Sequence, residues 1–390
     1  MSTLERLRSA QSGLEPEAVL EALERALAAW RAPGSVWRTK LAREHGLYSS
    51  EVLEHATLEA LRDWTGEVLR RLRARELREP YRVPPVTAVW LAGSIPSGAF
   101  HAILLPLVAG SALYVKPSSH DPLSPRLFAE SLCAAGSSLA EAIVLGDDPA
   151  LLETADAVVA HGSDATIAAI RARVPSQRVF IGHGHKLSLA AVGPEVTLEA
   201  AAQSTALELA LYDGRGCLSP AYVGVVDRPV GRAAAFSKAL AVALARLAIQ
   251  LPRGPLSTGE QAALRERRAR AAVREGVRLE MSGPGSEWTV ILEPAGARPA
   301  PGALRCTPVV PLAGASELGA WCATLAPHLS SLGHAGWEGR EGELDRAVRL
   351  GGGSRVCPLG RMQFPPLDWN HDGMRPLRSL VRPIEVEGDA

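Results

Sequence analysis

The chain has no excess of charge of either sign, and it has few lysines. Its 390 residues carry 42 Lys and Arg against 42 Asp and Glu, so the formal net charge at pH 7 is +0. A protein whose main partner is nucleic acid or an anionic membrane surface usually carries a clear positive excess. The balance argues against both partners. Because lysine is rare, Lys116 and Lys186 stand out, each inside a motif-like stretch.

Cysteine is also scarce, and its positions show no pairing. The five cysteines have no Cys-x-x-Cys spacing and lie at Cys133, Cys217, Cys306, Cys322 and Cys357. An odd, scattered set argues against a disulfide framework or a cysteine zinc cage, and it is typical of a reducing compartment. The N-terminus is charged and has no apolar core, so no signal peptide is predicted. We therefore expect a cytoplasmic protein.

A long hydrophobic run is missing as well. The most apolar stretch, residues 99–115, is interrupted by His101, Pro106 and Gly110, so no membrane span is predicted. Hydrophobic residues make up 47% of the chain and charged residues 22%, which is typical of a globular protein. A chain of 390 residues is too long for one ordinary core, so we expect two domains.

Helix and strand patterns alternate along most of the chain. Residues 1–78 have leucines at helical spacing and predict two or three helices that form a packing layer, broken near residues 32–35. From residue 86 on, short apolar runs alternate with helical runs and Gly/Ser turns, which predicts an α/β sheet. Strands are expected at residues 86–91, 111–115, 142–145, 157–160, 178–181, 221–226, 287–292 and 307–312, and a helix at 318–329.

Polar and small residues follow three of these strands. Lys116 and Ser118 come after the second strand, where open α/β sheets bind ligands, and an ammonium there suits a ribose hydroxyl or a phosphate. A lysine that merely ends a strand is the alternative interpretation. Gly162 and Ser163 open a helix whose N–H groups can hold a phosphate, although such turns are common in all βαβ folds.

Two histidines alternate with glycines after the strand at residues 178–181. His183 and His185 have the side chains of metal ligands, but no third ligand lies near them in the sequence. Protein zinc sites use three or four ligands from the chain. We therefore predict no metal.

One cysteine lies behind two glycines at the junction of a helix and a strand. Gly214 and Gly216 leave the backbone beside the Cys217 thiol uncovered, so a substrate carbonyl can approach it closely. A buried cysteine in an ordinary glycine turn is the alternative, because cysteine is among the most buried residue types. Cys217 is the candidate nucleophile.

Taken together, these stretches resemble the aldehyde dehydrogenase superfamily, and more closely its acyl-CoA reductase branch, the LuxC type. They come in the family's order over residues 85–375. The stretches are 93–96 (Gly-Ser-Ile-Pro), 115–118 (Val-Lys-Pro-Ser), 161–164 (His-Gly-Ser-Asp), 182–188, 214–217 (Gly-Arg-Gly-Cys) and 355–373. Each stretch alone is a weak to moderate signal, and the ordered set is a strong one.

The resemblance implies an aldehyde dehydrogenase-like α/β fold, with a helical N-terminal segment, a Rossmann-type cofactor domain and an α/β catalytic domain. We expect residues 1–205 to form the helical segment and the cofactor domain. Residues 206–349 are expected to form the catalytic domain that contains the cysteine. Residues 350–390 are expected to return to the cofactor domain or the interdomain cleft.

The resemblance also implies roles for cofactor-binding residues. Lys116 and Ser118 match the family's contact to the adenosine ribose and its 2′-hydroxyl or phosphate. Gly162 and Ser163 match the turn beneath the pyrophosphate, and we also assign Gly182 to cofactor binding. The implied cofactor is NADPH, with NADH as the alternative.

Cys217 matches the family's nucleophile, and Ser94 stands where the family has an asparagine that donates to the oxyanion. Acid-forming relatives have a glutamate in the stretch that matches residues 182–186, where this chain has no carboxylate. The implied reaction is reduction of a long-chain acyl-CoA or acyl-carrier thioester to the aldehyde. An aldehyde dehydrogenase running toward the acid, an acyl-transferring enzyme and a non-catalytic acyl-binding subunit are the alternatives. Family habit adds a homo-oligomer and an acyl-activating partner enzyme.

Overall fold

The computed structural model describes residues 1–78, 80–93 and 95–386. The N-terminal part is helical, and its helices are α1 (Thr3–Gln11), α2 (Pro16–Arg31), α3 (Val36–Glu44), α4 (Ser50–Leu61) and α5 (Gly66–Glu76). These are five helices, whereas the leucine spacing predicted two or three. The expected break is present, because α2 ends at Arg31 and the Ser35 hydroxyl caps α3 by accepting from the Arg38 N–H. Gly34 has a φ of 66°, a value that favours glycine in the connecting turn.

A parallel sheet follows this helical segment. The short strand β1 (Tyr81–Arg82) precedes this sheet and is not part of it. The elements of the sheet and their connections are β2 (Val86–Trp90), α6 (Pro96–Ala109), β3 (Ala112–Lys116), α7 (Leu123–Ala135), α8 (Ser137–Ala142), β4 (Ile143–Leu145), α9 (Leu151–Thr154), β5 (Ala157–His161), α10 (Asp164–Arg173) and β6 (Val179–His183). In the described part of the chain the sheet has the strand order β4-β3-β2-β5-β6, and all neighbours are parallel. The order reverses between β2 and β5. Open sheets of this kind bind ligands outside the carboxyl ends of the strands at such a point.

Aromatic side chains join α2 of the N-terminal segment to the helices α6 and α7, which connect strands of the sheet. Phe100 on α6 stacks on Phe128 on α7 with ring centroids 4.3 Å apart, and Trp30 on α2 lies 4.8 Å from Phe100. The Trp30 indole N–H donates to the Ser131 hydroxyl over 2.8 Å, so its one polar atom has a buried partner. These contacts pack α2 against α6 and α7 in the core of unit 1.

The second sheet is built from the following part of the chain. Its elements and connections are β7 (Leu187–Val192), α11 (Leu198–Ala210), a 3₁₀ turn (Leu211–Gly214), β8 (Pro220–Val226), α12 (Arg232–Gln250), α13 (Thr258–Ala272), β9 (Arg278–Met281), β10 (Thr289–Leu292), β11 (Cys306–Leu312), α14 (Ala315–Thr324), β12 (Leu329–Ala335), α15 (Glu341–Leu350) and β13 (Arg355–Pro358). Among the described residues its order is β13-β12-β7-β8-β11-β10-β9. The strands are parallel except β9, which is antiparallel to β10. β8 lies at the centre, and Cys217 immediately precedes it.

Strands of the second sheet were harder to predict than those of the first. Residue 329 was expected to end a helix, but it begins β12, which lies between β7 and β13. Short apolar runs in buried strands have no helical or alternating period that separates them from a helix end. β7 begins at the end of the motif stretch 182–188 and β13 lies inside the stretch 355–373, and neither was predicted as a strand.

The chain divides into two compact units with boundaries that differ from the predicted ones. Unit 1 contains residues 1–45 and 57–185 and the chain from Pro366 on, and unit 2 contains residues 46–56 and 186–365. The expected C-terminal segment, residues 350–390, is therefore shared. Its first part supplies β13 to the sheet of unit 2, and a later strand, β14 (Arg382–Pro383), pairs with β1 in unit 1.

Within the residues that the structure describes, α12 is the one helix long and apolar enough to cross a bilayer by length and composition. It buries Phe236, Leu240 and Leu244 in the core of unit 2. A core helix of a folded domain passes the same test, so the finding is weak evidence for a membrane span.

A buried carboxylate holds the C-terminal segment in unit 1. Glu76, at the end of α5, accepts hydrogen bonds from the N–H groups of Leu377 (2.9 Å) and Arg378 (3.2 Å). The neighbouring Arg75 donates to Glu76 over 3.0 Å and to Asp368 over 2.8 Å. The segment thus has charge-assisted bonds at two points along its length.

We expect Glu76→Ala to loosen this segment, because it leaves two backbone N–H groups of the segment without their acceptor. The loss should be about 1–3 kcal/mol of stability. Limited proteolysis should show faster cleavage within residues 366–386. Glu67→Ala, which removes an exposed carboxylate from the same helix, is the control and should leave cleavage unchanged. Equal cleavage of Glu76→Ala and the wild type would contradict this account.

Candidate functional site

At the carboxyl edge of the first sheet, a lysine ammonium and a serine hydroxyl lie two residues apart in the sequence. Lys116 is the last residue of β3 and lies beside Trp90 on β2. The buried Ser118 hydroxyl accepts from the His120 N–H over 3.1 Å. A hydroxyl that accepts one bond still has its own hydrogen to donate. The chemistry of this pair suits a ribose hydroxyl or a phosphate.

The turn after β5 is already well supplied with partners. The Gly162 N–H donates to the His183 carbonyl over 3.1 Å, and the Ser163 hydroxyl caps α10 by accepting from the Thr166 N–H over 3.2 Å. Asp164 is the first residue of α10, and its carboxylate accepts from the His185 N–H over 2.8 Å. A carboxylate at a helix N-terminus occupies the positive end that would attract a phosphate. The turn is therefore a poorer phosphate site than its sequence suggests.

Gly182, near the end of β6, has a packing reason to be glycine. A Cβ built there would lie 2.8 Å from a methyl carbon of Ile167 and 2.9 Å from the ring of Phe180. Neither contact is tolerated without movement of β6 or α10. Its small size thus lets α10 pack closely on the sheet, whatever its part in cofactor binding.

Histidines gather at the same edge of unit 1. His161 and His183 end β5 and β6 as direct neighbours, with ring centroids 4.7 Å apart. His371 stacks on His183 at 4.0 Å, and Trp369 stacks on His371 at 4.7 Å. The three histidine rings and His101 line a pocket whose other walls are mostly apolar, with Ala102, Leu105, Pro106, Val159, Ile181, Met374, Arg375, Pro376, Ser379 and Leu380.

Burial and one carboxylate set the charges of this pocket. Burial lowers the pKa of His101 to about 4 and holds the pKa of His161 well below its usual value, so both rings are neutral at pH 7. His183 instead has a partner, because its Nδ1 lies 2.9 Å from an Asp372 carboxylate oxygen. The other Asp372 oxygen and His161 Nε2 are buried without a hydrogen-bond partner among the described residues. In this pocket the Asp372 carboxylate therefore lies 2.9 Å from His183 and 3.7 Å from His371, while His101 and His161 are neutral.

The same pocket brings two further possible metal ligands, His371 and Asp372, close to His183. Ligand atoms of His183, His371 and Asp372 lie within 4.8 Å of one another, whereas His185 is not part of this group. The planes of His183 and His371 are only 15° from parallel. The lone pairs of stacked imidazoles lie in parallel planes and do not converge on one ion, as a tetrahedral site requires. The arrangement suits a shared proton better than a metal.

In unit 2, Cys217 lies on a loop with an unusual backbone. After α11 ends, Tyr212, Asp213 and Gly214 have φ values of 50°, 54° and 67°, three left-handed residues in a row. Left-handed backbone is unfavourable for side chains other than glycine, so tertiary contacts must hold this turn. The turn ends the helical direction within a few residues and leaves the Cys217 side chain exposed just before β8.

A buried ion pair holds the turn from one side. Arg305 donates to the Asp213 carboxylate over 2.7 Å, and the Gly254 N–H donates to its other oxygen over 3.1 Å. Arg305 also donates to the carbonyls of Ala210 (3.0 Å) and Leu251 (2.8 Å). Burial raises the pKa of Asp213, and the Arg305 charge opposes that rise. All charges in this cluster thus have partners, as a buried ion pair requires.

Hydrogen bonds that involve two hydroxyl groups fix the backbone at Cys217 and just after it. The Ser188 hydroxyl donates to the carbonyl of Cys217 over 2.7 Å. The buried Gln363 side chain donates to the Ser219 hydroxyl over 2.7 Å. The backbone on both sides of the thiol is therefore fixed, while the thiol itself is exposed. This is the arrangement of a rigid, reachable nucleophile.

The acyl-CoA reductase (LuxC) family model matches residues 17–383 of the chain. The chain belongs to this family. A curated relative, long-chain acyl-protein thioester reductase 2 of Photobacterium leiognathi, is 24% identical over 310 residues. The match covers 76% of this chain and 63% of the relative, so the chain spans less than two thirds of that protein.

Solved structures similar to this LuxC-family chain show its fold. An oxidoreductase from Marinobacter aquaeolei has a TM-score of 0.75 at 15% identity, and the match covers 97% of this chain and 89% of that one. The NADP-dependent glyceraldehyde-3-phosphate dehydrogenase of Bacillus halodurans C-125 has a TM-score of 0.70 at 14% identity, with 97% and 89% covered. The predicted resemblance and the aldehyde dehydrogenase-like α/β fold are thereby confirmed.

The predicted site residues of this LuxC-family chain fall into two groups. Lys116, Ser118, Gly162, Ser163 and Gly182 lie together at the carboxyl edge of the sheet in unit 1. Cys217 lies in unit 2, and Ser94 is outside the described residues. Their individual roles stay predictions.

Sequence reasoning missed the residues that support these groups. Asp372 and His371 complete the histidine pocket, and Arg305 and Gln363 brace the cysteine loop. They come from distant parts of the chain. The one local signal was Asp213, a charged residue directly before the glycine turn.

We expect Arg305→Met to destabilise the protein by about 3–5 kcal/mol, because it leaves the Asp213 charge buried without its partner. Equilibrium urea unfolding measures the loss. Arg349→Met, which removes an exposed arginine paired with Asp345, is the control and should unfold like the wild type. If the buried pair stabilises the protein, Arg305→Met should unfold at a clearly lower urea concentration than Arg349→Met. Equal urea midpoints for the two variants would contradict this account.

Proposed function

We propose that this chain reduces an acyl thioester to an aldehyde, with Cys217 as the nucleophile and a reduced nicotinamide dinucleotide as the source of hydride. The observation that carries the proposal is the Cys217 loop. Its thiol is exposed, whereas the backbone around it is held by a buried ion pair and by hydrogen bonds from Ser188 and Gln363. A chain that only packed a cysteine in its core would bury the thiol.

In the first step, the Cys217 thiolate attacks the carbonyl carbon of the thioester. A new bond forms between the sulfur and that carbon, and the bond to the substrate's own sulfur breaks. The departing thiolate takes one proton. The developing oxyanion needs a donor, for which we propose the Cys217 N–H and the Ser94 hydroxyl. Cysteine suits this step because a thiolate is a strong nucleophile.

In the second step, the acyl carbon bound to Cys217 is reduced. A bound reduced nicotinamide supplies one hydride. The resulting thiohemiacetal oxyanion on Cys217 collapses to the aldehyde and expels the cysteine thiolate, which restores the enzyme. The complete reaction consumes one hydride and one proton, and it needs no water. The absence of a carboxylate at residues 182–186 fits this scheme, since a general base there would favour hydrolysis to the acid.

For the cofactor, we propose that Lys116 and Ser118 hold the adenosine ribose and its 2′ substituent. Their donors at the carboxyl end of β3 fit a ribose or a phosphate. Gly162 and Ser163 are proposed beneath the pyrophosphate with less support, because the Asp164 carboxylate shares that helix N-terminus. A lysine beside the 2′ position favours NADPH over NADH by charge.

The His183–Asp372 pair is proposed as a place where the edge of unit 1 can hold a proton. A hydrogen bond to a carboxylate fixes which ring nitrogen of an imidazole carries its proton. Its neighbours His101 and His161 are neutral, so they add no competing positive charge.

The substrate is proposed to be a long-chain acyl group on coenzyme A or on a carrier. The relative from Photobacterium leiognathi is named for long-chain acyl-protein thioesters, and the family for acyl-CoA. An acyl-activating partner enzyme and a homo-oligomeric state are proposed on the same family grounds.

The central experiment is mass spectrometry of the intact protein after incubation with a long-chain acyl-CoA, with and without NADPH. We expect an acyl adduct on the Cys217 peptide that disappears when NADPH is added, with aldehyde released. Cys217→Ala should form no adduct, and turnover should fall by a factor of about 10³ or more. Cys133→Ala, which changes another cysteine that is not fully buried, should behave like the wild type.

Other outcomes point to the alternatives. An adduct that persists with NADPH indicates acyl transfer or a decayed reductase. Acid in place of aldehyde, formed from an aldehyde substrate with NADP⁺, indicates a dehydrogenase. Reduction that survives in Cys217→Ala would show that the nucleophile is wrong.

Lys116→Met tests the cofactor proposal. We expect the KM for NADPH to rise by about tenfold or more, with a smaller change for NADH, because the ammonium pairs with the 2′-phosphate. Steady-state kinetics with each cofactor measure the two values. Lys186→Met is the control, since its ammonium donates to the Pro327 carbonyl in unit 2. Equal changes for both cofactors would remove Lys116 from the 2′ site.

A further inference from the structure

A buried carboxylate lies on the helix that leads to the cysteine loop. Glu208 on α11 is fully buried, and its two oxygens accept from the backbone N–H groups of Met362 (2.7 Å) and Gln363 (3.3 Å). A buried carboxylate is stable only when its oxygens have donors. Here the donors are both in one short loop that follows β13, so Glu208 ties this loop to α11.

The loop held by Glu208 reaches the cysteine. The Gln363 side chain donates to the Ser219 hydroxyl over 2.7 Å. The Ser219 N–H in turn donates to the Gly216 carbonyl over 3.0 Å and closes the turn that contains Cys217. A continuous series of hydrogen bonds therefore joins Glu208 to the backbone on both sides of the thiol.

We propose that Glu208, in its ionised form, is a positioning residue for Cys217 and acts through Gln363 and Ser219. The inference rests on the proposed function, in which Cys217 is the nucleophile. Glu208 is not a catalytic residue, because its carboxylate is directed to the 362–363 backbone and not to the thiol. It sets where the cysteine backbone lies.

The ionised form matters because the groups bonded to Glu208 are backbone N–H donors, at Gly360 as well as at Met362 and Gln363. A protonated carboxyl presents one O–H, which cannot accept from an N–H, so one of these bonds weakens. The charged and titratable side chains that interact with Glu208 are Arg355 and Cys357, both on β13. Arg355 donates to the Met362 carbonyl over 2.7 Å and to the Arg361 carbonyl over 2.9 Å, which supports the same loop.

Burial raises the pKa of Glu208 to about 7, against the opposing effect of the backbone N–H groups and Arg355. The sign of the effect on the loop follows. Above this pH the carboxylate holds these N–H groups, and as the pH falls through about 7 the proton removes one acceptor. Cys217 should therefore be positioned best in mildly alkaline solution.

The test compares Glu208→Gln with Glu293→Gln. Both replace a buried carboxylate of unit 2 by a similar shape, but Glu293 pairs with Arg274, and its contacts do not lead to the cysteine loop. Hydrogen–deuterium exchange of peptide 211–219 reports the order of the loop directly. We expect exchange there about tenfold faster in Glu208→Gln at pH 8, and unchanged in Glu293→Gln.

Single-turnover acylation of Cys217 by acyl-CoA is the second readout. At pH 8 Glu208→Gln should react about tenfold more slowly, with the KM for the thioester changed by less than about twofold. The ratio of wild-type to variant rates should approach one below about pH 6 and be largest above about pH 8. A role in stability alone would not give a ratio that titrates.

Each result decides something. Normal loop exchange in Glu208→Gln, or equal effects in Glu293→Gln, would overturn the inference. A rate ratio that is independent of pH would overturn the requirement for the ionised form. If the wild type forms no acyl adduct, the proposed function fails, while the exchange data still decide whether Glu208 orders the loop.

Gln363→Leu covers the case in which Glu208→Gln does not fold. It keeps the backbone bonds to Glu208 and removes only the donor to Ser219. The same increase in loop exchange is expected, and its absence would break the proposed link.

Discussion

The buried pair of Asp213 and Arg305 is the interaction on which the cysteine site depends. The chain leaves α11 through three residues with left-handed backbone, a conformation that costs free energy for residues other than glycine. Contacts with other parts of the chain must therefore stabilise this turn. Arg305 supplies them, since it binds the Asp213 carboxylate and the carbonyl of Ala210 at the end of α11. With the turn fixed, β8 can start at Pro220 in the centre of the sheet while the thiol of Cys217 is exposed.

The two units differ in the titratable groups that surround their candidate sites. The edge of unit 1 gathers small and polar groups at the carboxyl ends of parallel strands, which is the edge where open sheets of this kind bind ligands. It also buries histidines, and burial makes His101 and His161 neutral. Buried carboxylates hold chain segments in both units, at Glu76 in unit 1 and in unit 2 at Asp213 with Arg305 and at Glu208 with backbone N–H groups.

Features carried by neighbouring residues could be predicted. The strand before Lys116, the cap at Ser163 and the glycines around Cys217 all follow from local patterns, and the family resemblance rests on their order. Features that join distant residues could not. His183 looked like a metal ligand without a third partner, and the fold then supplied His371 and Asp372 in a stack that suits a proton better than an ion.

The sequence by itself determined the α/β class and the family and singled out Cys217 as the candidate nucleophile, because helix period, glycine turns and motif order lie in contiguous residues. Only the tertiary structure decided that β12 is a central strand and that the tail is shared between the two units. It alone brought Arg305 to Asp213, Gln363 to Ser219 and Asp372 to His183. Buried polar groups need hydrogen-bond partners, and the folded chain decides which distant residues lie close enough to supply them. No local sequence pattern encodes these pairings.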